Sequence, residues 1–598
     1  MSVERLKTQL RVRYSRAFRM LTACELPNYD CLYIDATQYV VMSKLFHDDE
    51  SGEEPTKFAL NCIDYCVHHI KPTHLICIAV DGIGTNFAKL NSKRQRRFKR
   101  DNESETESVY YPYQKAISDF VEEKLKTDPI WQASKYVLYG SPFMLDDSES
   151  KIFRCINYIV NLPDYNPNYR HLIITSDSDL ILFSLKSHVK AIDLLTNRIP
   201  RAKTDFEQFS FDNSELVSIP IIAEYIMKDF DRPKEYVDDF MMLCAFLGNV
   251  YSPTIYKIDD LDINKIIIIY KRYLDRYGGL VTKGDTYDFN NLKLFFKLIL
   301  EKFDKSDYEN AEEESIFIEK LGINESELKK MCHDFLDNMI FSMKTFSNSP
   351  LSRTWNYRYH YAPPLSAIIR YMDSFESKIV PDKNFPSIYA VFAVPRKLTW
   401  LLPKEVVNIR NMSEYGKLLQ KDKSEIEIDV EREEYLCEIP DINKIKDILD
   451  DLLDAIDIPD EYKWLMESGN IIDLKNNQKI DDVDRKPFSK YIEPTNSSLL
   501  PSFDNCRNIR FTWKSLPNGN VAILLASDNV VGDPESYIGR RVYSDVPYNT
   551  LCSVSKIIRK KPEGMYGYLT GRGLVVCEVR VLNSQKKFLT PIGFCELQ

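Results

Sequence analysis

At 598 residues the chain exceeds what one hydrophobic core serves, so at least two domains are expected, and a hydrophobic share of 44% is enough to fill them. A formal charge of -10 argues against wholesale electrostatic capture of nucleic acid, although a local basic groove remains compatible with it. The longest aliphatic run, Ile266 to Ile269, is far short of the roughly 20 residues that span a bilayer, and the opening Met1-Ser-Val-Glu-Arg-Leu mixes charge with apolar residues, so neither a membrane span nor secretion is expected.

The first elements in chain order are short apolar runs that end in acids. Cys31-Leu-Tyr-Ile-Asp35 and His74-Leu-Ile-Cys-Ile-Ala-Val-Asp81-Gly82 each read as a buried strand finishing in aspartate. Lys135-Tyr-Val-Leu-Tyr-Gly140 leads to Asp147 and Glu149, and His171-Leu-Ile-Ile-Thr-Ser-Asp177-Ser-Asp179 closes the series. Between them, Phe58, Cys62, Ile63, Cys66, Val67 and Ile70 recur at helical spacing, as do Ile117, Phe120, Val121 and Leu125. This alternation predicts an α/β fold with a mostly parallel sheet flanked by helices. The acidic stretch Asp101 to Ser108 is expected as a solvated loop.

From about Asp205 to Phe346 the periodicity is helical. An aromatic segment, Trp355-Asn-Tyr-Arg-Tyr-His-Tyr-Ala-Pro-Pro364, precedes a helix starting near Leu365, and residues 404–500 read as a charged, helix-prone connector. After Pro501, short runs such as Val521 to Leu525, Arg541 to Tyr543, Leu551 to Ile558 and Gly573 to Val581 predict a small β-rich, barrel-like domain. The expected division is therefore 1–403, with an acidic region over 1–252 and a helical one over 253–403, then 404–500 and 501–598. Thirteen scattered cysteines without a metal-type pair read as reduced thiols of a cytoplasmic protein. Abundant Lys, Ile, Asn, Asp and Tyr with few Gly suit an AT-rich genome, as in some large viruses or parasites.

Hydrolysis of a phosphodiester needs an activated water and a stabilised leaving oxygen, which paired divalent ions can provide. Hard Mg²⁺ or Mn²⁺ takes oxygen ligands, so a cage of carboxylates from separate loops suits them. Asp35, Asp81, Asp147, Glu149, Asp177 and Asp179 are the candidate metal ligands and catalytic residues. Taken singly, an aspartate after a strand is an ordinary helix cap or turn former; the set, with its two acid-x-acid pairs, carries the reading. The densest basic run, Lys89-Leu-Asn-Ser-Lys-Arg-Gln-Arg-Arg-Phe-Lys-Arg100, follows the second acid. Alone it would pass for a solvated helix face or a nuclear-localisation signal, but beside the acids it can hold a terminal phosphate.

In this order the motifs resemble the Xrn family of 5′→3′ exoribonucleases. Tyr33-Ile-Asp35-Ala-Thr37 is similar to the family's first metal motif, and Ala79-Val-Asp81-Gly82 with Lys89-Leu-Asn91 and Arg96-Arg97-Phe98 to its second motif and 5′-phosphate pocket. Asp146-Asp-Ser-Glu-Ser-Lys-Ile152 stands where the family has glycine-glutamate-glycine-glutamate-histidine-lysine-isoleucine. Ser176-Asp-Ser-Asp-Leu-Ile181, Val237 to Asn249, Tyr270-Lys-Arg with Gly278-Gly279, Tyr357 to Pro363 and Tyr389 to Pro403 complete the order. The resemblance implies a PIN/FEN-like nuclease core, a Mg²⁺ or Mn²⁺ cofactor, and a single-stranded RNA substrate with a 5′-monophosphate received by Lys89, Lys93, Arg96 and Arg97. It further implies RNA stacking on Trp355, a role in cytoplasmic mRNA decay, and a monomer without membrane association.

Departures from the pattern are equally specific. Gly248-Asn249 is followed by Val250 where the family has a seventh acid, and valine cannot bind Mg²⁺. Val41 replaces a base-stacking histidine, Arg353 the first tryptophan of the aromatic motif, and Lys93 a glutamine. The β-rich end, including Ile538 to Pro547, resembles only part of the family's auxiliary domains, so a divergent and shortened member is expected. The alternatives are a catalytically impaired RNA-binding scaffold, motivated by Val250 and Val41, and a flap- or DNA-directed nuclease of related fold.

Overall fold

The computed structural model describes residues 6–21, 26–44, 53–82, 87–99, 106–141, 143–187, 189–196, 209–211, 214–230, 236–253, 255, 263–303, 310–349, 352–382, 385–393, 400–421, 423–429, 434–467 and 469–480, followed by six strands within 509–591. Its main sheet has nine strands: β1 (Phe18–Met20), β2 (Cys31–Asp35), β3 (Leu75–Ala79), β4 (Tyr136–Gly140), β5 (His171–Ile174), β6 (Ile192–Thr196), β7 (Glu215–Ser218), β8 (Ile471–Asp473) and β9 (Gln478–Ile480). They lie in the order β1-β7-β6-β5-β2-β3-β4-β8-β9. The inner five strands, β6 to β4 in this order, are parallel, while β7, β1, β8 and β9 add antiparallel edges. This is the expected α/β class.

Strands β2, β3 and β5 are buried along their whole length, which is why their sequences run apolar without a polar alternation. Side chains still alternate between faces. Cys31, Tyr33, Leu75 and Cys77 face one core, and Leu32, Ile34, Ile76 and Ile78 the other. The second core is closed by α3 (Glu53–Ile70) through Cys62, Ile63, Cys66 and Val67, and by α5 (Thr106–Thr127) through Ile117 and Val121. Both helices match the spacing read from the sequence; α1 (Leu6–Arg13), α2 (Thr37–Lys44) and α4 (Phe87–Lys99) lie on the same half of the chain. The acidic stretch differs from its expected loop: Thr106 to Ser108 already form the first turn of α5, while 101–105 lie outside the described residues.

Across the first core lie α6 (Ser148–Val160) and α7 (Leu180–Ser187), followed by α8 (Ile219–Phe230), α9 (Tyr236–Phe246), α10 (Ile263–Tyr277), α11 (Phe289–Phe303), α12 (Asn310–Leu321) and α13 (Glu325–Phe346). The stretch from 205 to 346 is thus largely helical, with β7 as an insertion that the helical pattern hides. Asp239 of α9 anchors this layer: buried, it accepts hydrogen bonds from Tyr270, from Val281 N at 3.0 Å and from Thr282 N at 2.8 Å. Residues 404–480 are built into the same body. Strand β8 pairs with β4, and α14 (Ile442–Ala455) buries Ile445 and Leu449 in one cluster with Phe87, Leu90 and Leu145.

The last six strands are β10 (Ile509–Ser515), β11 (Val521–Ser527), β12 (Arg541–Ser544), β13 (Thr550–Lys560), β14 (Leu574–Val581) and β15 (Lys587–Pro591). They form a second sheet in the order β10-β11-β15-β14-β13-β12, the β-rich end expected from the sequence.

Candidate nuclease active site

The chain runs from β2 outward to β3 and β4, then returns to the other side of β2 for β5 and β6. The strand order therefore reverses between β2 and β5, and in open α/β sheets the crevice beyond the carboxyl ends at such a point is where ligands bind. Register places Ile34 opposite Ile174, Asp35 opposite Ala79, and Ala79 opposite Gly140. The residues just beyond this row carry the acids. Across the reversal, Thr175 Oγ1 donates to Asp35 Oδ2 at 3.2 Å and Gln38 Nε2 to the Ile174 carbonyl at 3.1 Å.

Asp81 follows β3, with its backbone N–H held by Thr37 Oγ1 at 2.8 Å. Its Oδ1 accepts from Ser148 N at 2.9 Å, so the carboxylate sits on the amino end of α6, where free N–H groups favour an anion. Asp147 occupies the N-cap position of that helix but makes no cap bond; its Oδ2 instead receives Lys89 Nζ at 2.5 Å. Glu149, in the first turn, lies 3.6 Å from the same ammonium. Asp146, where the family has glycine, holds φ at 85°, a left-handed conformation that aspartate tolerates better than most side chains.

Asp177 and Asp179 lie in the turn between β5 and α7. Asp177 N donates to Thr175 Oγ1 at 3.0 Å, and Asp177 Oδ1 accepts from Asp179 N at 2.8 Å. Asp177 also lies beside Glu149. Burial, reinforced by Asp81 and Glu149, holds the Asp35 carboxyl well above the usual range. Glu149 is raised chiefly by burial, with Lys89 opposing and Asp177, Asp147 and Asp81 adding to it. Asp177 is raised by burial and then by Asp179. The acids thus resist sharing this space unless positive charge joins them. Asp35 Oδ1 is buried without a hydrogen-bond partner among the described residues, and the available ligand atoms are all carboxylate oxygens, so the residues present fit a hard divalent cation.

The basic residues divide. Lys89 is only 5% exposed, bound to Asp147 and Glu149, with Nζ 5.5 Å from the Tyr251 ring centroid. Burial works against its charge, but Asp147 and Glu149 outweigh that and hold the ammonium above its ordinary value. The expected phosphate contact is therefore, in the protein alone, the counter-ion of the acidic cluster. Lys93, Arg96 and Arg97 lie on α4, and their side chains fall outside the described residues. Arg94, not singled out by the sequence, is buried and donates to the Glu438 and Leu419 carbonyls, tying α4 to 404–480.

Trp355 is half-buried, and its Nε1 donates to Asn338 Oδ1 at 3.2 Å. Asn338 Nδ2 in turn donates to the Tyr251 carbonyl at 2.7 Å, which links the aromatic segment to the loop that contains Val250. Sequence reasoning missed Lys151, whose fully buried Nζ donates to Val80 O at 2.6 Å and Ser141 O at 2.7 Å. A lysine four residues after a helix N-cap, with Gly140 leaving room for its stem, was the available signal. A separate group, Asp64, His68 and Asp128, brings ligand atoms within 4.8 Å of one another. It already holds Lys124 at 2.5 Å from Asp64 and the Trp131 N–H at 3.0 Å, which makes it an ion-pair network between α3 and the segment leading into β4.

Comparison with known proteins bears on this region. The family described as the XRN 5′-3′ exonuclease N-terminus matches residues 1–112 and 108–198, the segment that bears all six acids. Through these residues the chain is similar to the Xrn family. Among curated relatives, 5′-3′ exoribonuclease 1 of Schizosaccharomyces pombe is 26% identical over 49% of this chain and 25% of that protein. The Saccharomyces cerevisiae protein of the same name is 23% identical over 51% and 23%, and the Homo sapiens one 24% over 53% and 21%. The chain thus spans about a quarter of the length of these curated relatives. Among solved structures, the catalytic core of Rad2 in complex with DNA substrate aligns at a TM-score of 0.30 and 14% identity, covering 54% of this chain and 82% of that one. At that score the strand order itself describes the fold better than the alignment.

Proposed function

We propose that the chain is a metal-dependent 5′→3′ exoribonuclease that degrades single-stranded, 5′-monophosphorylated RNA to mononucleotides, acting as a monomer in cytoplasmic mRNA decay. The observation that carries this reading is the gathering of Asp35, Asp81, Asp147, Glu149 and Asp177 around Lys89 at the sheet's reversal point, within the family-matched segment. Bound Mg²⁺ or Mn²⁺ would supply an activated water and stabilise the departing oxygen. These five acids, with Asp179, would hold those ions; Thr175 and the amino end of α6 orient Asp35 and Asp81 for the task. Lys89, Lys93, Arg96 and Arg97 would receive the 5′-monophosphate, and Trp355 would stack on a base.

Val250 motivates a second reading, in which the fold binds RNA without cutting it. One assay separates them: the full chain with Mg²⁺ or Mn²⁺ on RNA bearing a 5′-monophosphate, 5′-hydroxyl or 5′-triphosphate, beside Asp177→Ala. Mononucleotide release from the monophosphate substrate alone, lost in the variant, supports the exonuclease. Binding without turnover in either metal favours the scaffold, and equal cutting of DNA flaps a flap nuclease.

A further inference from the structure

The loop after α9 holds a polar group that the nuclease reading leaves unused. Gly248 turns the chain with φ at 93°, and Asn249 Oδ1 accepts from Tyr251 N at 2.8 Å and Ser252 N at 3.1 Å. Asn338 Nδ2 holds the Tyr251 carbonyl, and the Tyr251 ring packs edge-on against Phe341 with centroids 5.5 Å apart. Backbone and ring are fixed from several sides, so the position of the hydroxyl is set before any ligand arrives.

That hydroxyl is buried and has no hydrogen-bond partner among the described residues, on a side chain only 5% exposed. A buried, unpaired O–H forfeits its hydration for nothing, whereas phenylalanine would fill the same space without that cost. The charges acting on the phenol are Lys89, Asp147, Glu149 and Asp179, all from the candidate active site. Burial, with the three carboxylates reinforcing it against Lys89, holds the phenol above its ordinary value, so Tyr251 meets a ligand as a neutral donor. Its complement must enter the acidic site, carry acceptor oxygens, and tolerate an ammonium nearby. A phosphate group does all three.

Resting on the exonuclease reading, we propose that Tyr251 Oη is a phosphate-binding donor, giving its hydrogen bond to an oxygen of the 5′-monophosphate beside Lys89 Nζ. The residue before it, Val250, contributes no carboxylate to repel that phosphate. A site with Val250 in place of an acid and a neutral donor beside it holds its substrate end less by metal and more by direct hydrogen bonding.

The test is Tyr251→Phe in the full chain, with Ca²⁺ in place of the catalytic metal to prevent cutting. Fluorescence anisotropy measures the affinity of one RNA oligonucleotide with a 5′-monophosphate and with a 5′-hydroxyl, and a thermal melt follows the free protein. The variant is expected to bind the phosphorylated end ~3- to 10-fold more weakly, as the loss of one hydrogen bond predicts, to bind the hydroxyl end unchanged, and to melt no lower than wild type. A folded variant that prefers the phosphorylated end as strongly as wild type overturns the role of Tyr251 alone. Wild-type protein that does not distinguish the two ends overturns both this role and the 5′-monophosphate reading on which it rests.

Discussion

Replacing Lys151 by methionine should destabilise the nuclease core more than any surface ion-pair change in this protein. The lysine is fully buried, and its ammonium bridges Val80 O at 2.6 Å and Ser141 O at 2.7 Å, the segments that leave β3 and β4. Hydrogen bonds from a charged donor contribute about 1.5 to 3 kcal/mol each, and a carbonyl left unpaired in the interior costs about 1 to 3 kcal/mol. Methionine preserves the apolar stem that fills the space beside Gly140, so little cavity cost is added. Against the loss stands the desolvation of the ammonium, which the variant no longer suffers. A net loss of about 2 to 4 kcal/mol follows, read as a lower urea midpoint at unchanged slope. Because Val80 precedes Asp81, calorimetry should also show weaker Mn²⁺ binding by the folded variant. A stability loss below about 1 kcal/mol, with unaltered Mn²⁺ affinity, would refute the clamp.

Asp35→Asn removes one of the charges that crowd the site, so without divalent ions the variant should melt at or above the wild-type temperature. Mn²⁺ at a hundred times its dissociation constant stabilises a one-site protein by about 2.7 kcal/mol; this increment should appear in wild type and shrink sharply in the variant, and equal increments would remove Asp35 from the ligand set. His171 lies between the Tyr33 and Tyr165 hydroxyls at 2.9 and 3.0 Å, and burial lowers its pKa to about 3. The unfolded imidazole takes up a proton below its ordinary value of 6.5 while the folded one stays neutral. Its contribution is therefore complete above that pH and lost as pH falls toward 3, by up to about 1.4 kcal/mol per unit. His171→Asn should flatten the stability profile over that window, and a profile of unchanged slope would falsify the assignment. Arg353→Trp should destabilise the protein by removing the guanidinium 3.8 Å from the buried Asp146 carboxylate, by less than the roughly 3 to 5 kcal/mol of a broken hydrogen-bonded buried pair, and Asp146→Gly should recover part of that loss in a double-mutant cycle; additive effects would show the two to be independent.

The fold was legible where one physical rule dominates. Strands β2, β3 and β5 are buried on both faces and read as unbroken apolar runs, while α3 and α5 present one stripe to the second core and read at helical spacing. What escaped were elements without such a signature. Strand β7 is four residues long and runs directly into α8, so its apolar residues merge with the helical pattern. Strands β8 and β9 sit in a charged stretch, because an antiparallel edge can leave residues such as Gln478 and Lys479 exposed to water. No local pattern announces that such a segment pairs with β4, more than three hundred residues earlier in the chain.

In the site, the strand-end acids were legible because chemistry fixes their residue type and the sheet fixes their place. Which cation answers which anion was not, since pairing depends on contacts between distant segments. Lys89 reads as a member of a basic run, yet it leaves that run to meet Asp147 and Glu149. Two departures from the family pattern are more instructive. Asp146 stands in place of a glycine and Arg353 in place of a tryptophan, and each alone would be a defect: a buried carboxylate in left-handed backbone, and a buried guanidinium where an aromatic ring belongs. In the folded protein they approach to 3.8 Å, while the Asp146 carbonyl accepts from Gly82 N and the Arg353 carbonyl from Phe87 N, on either side of residues 83–86. Each buried charge has the opposite one within ion-pair distance. Read separately, both substitutions suggest a decaying enzyme; as a pair they preserve the junction that carries Asp81, Lys89 and Asp147, which is the junction any metal-dependent cleavage by this chain would need.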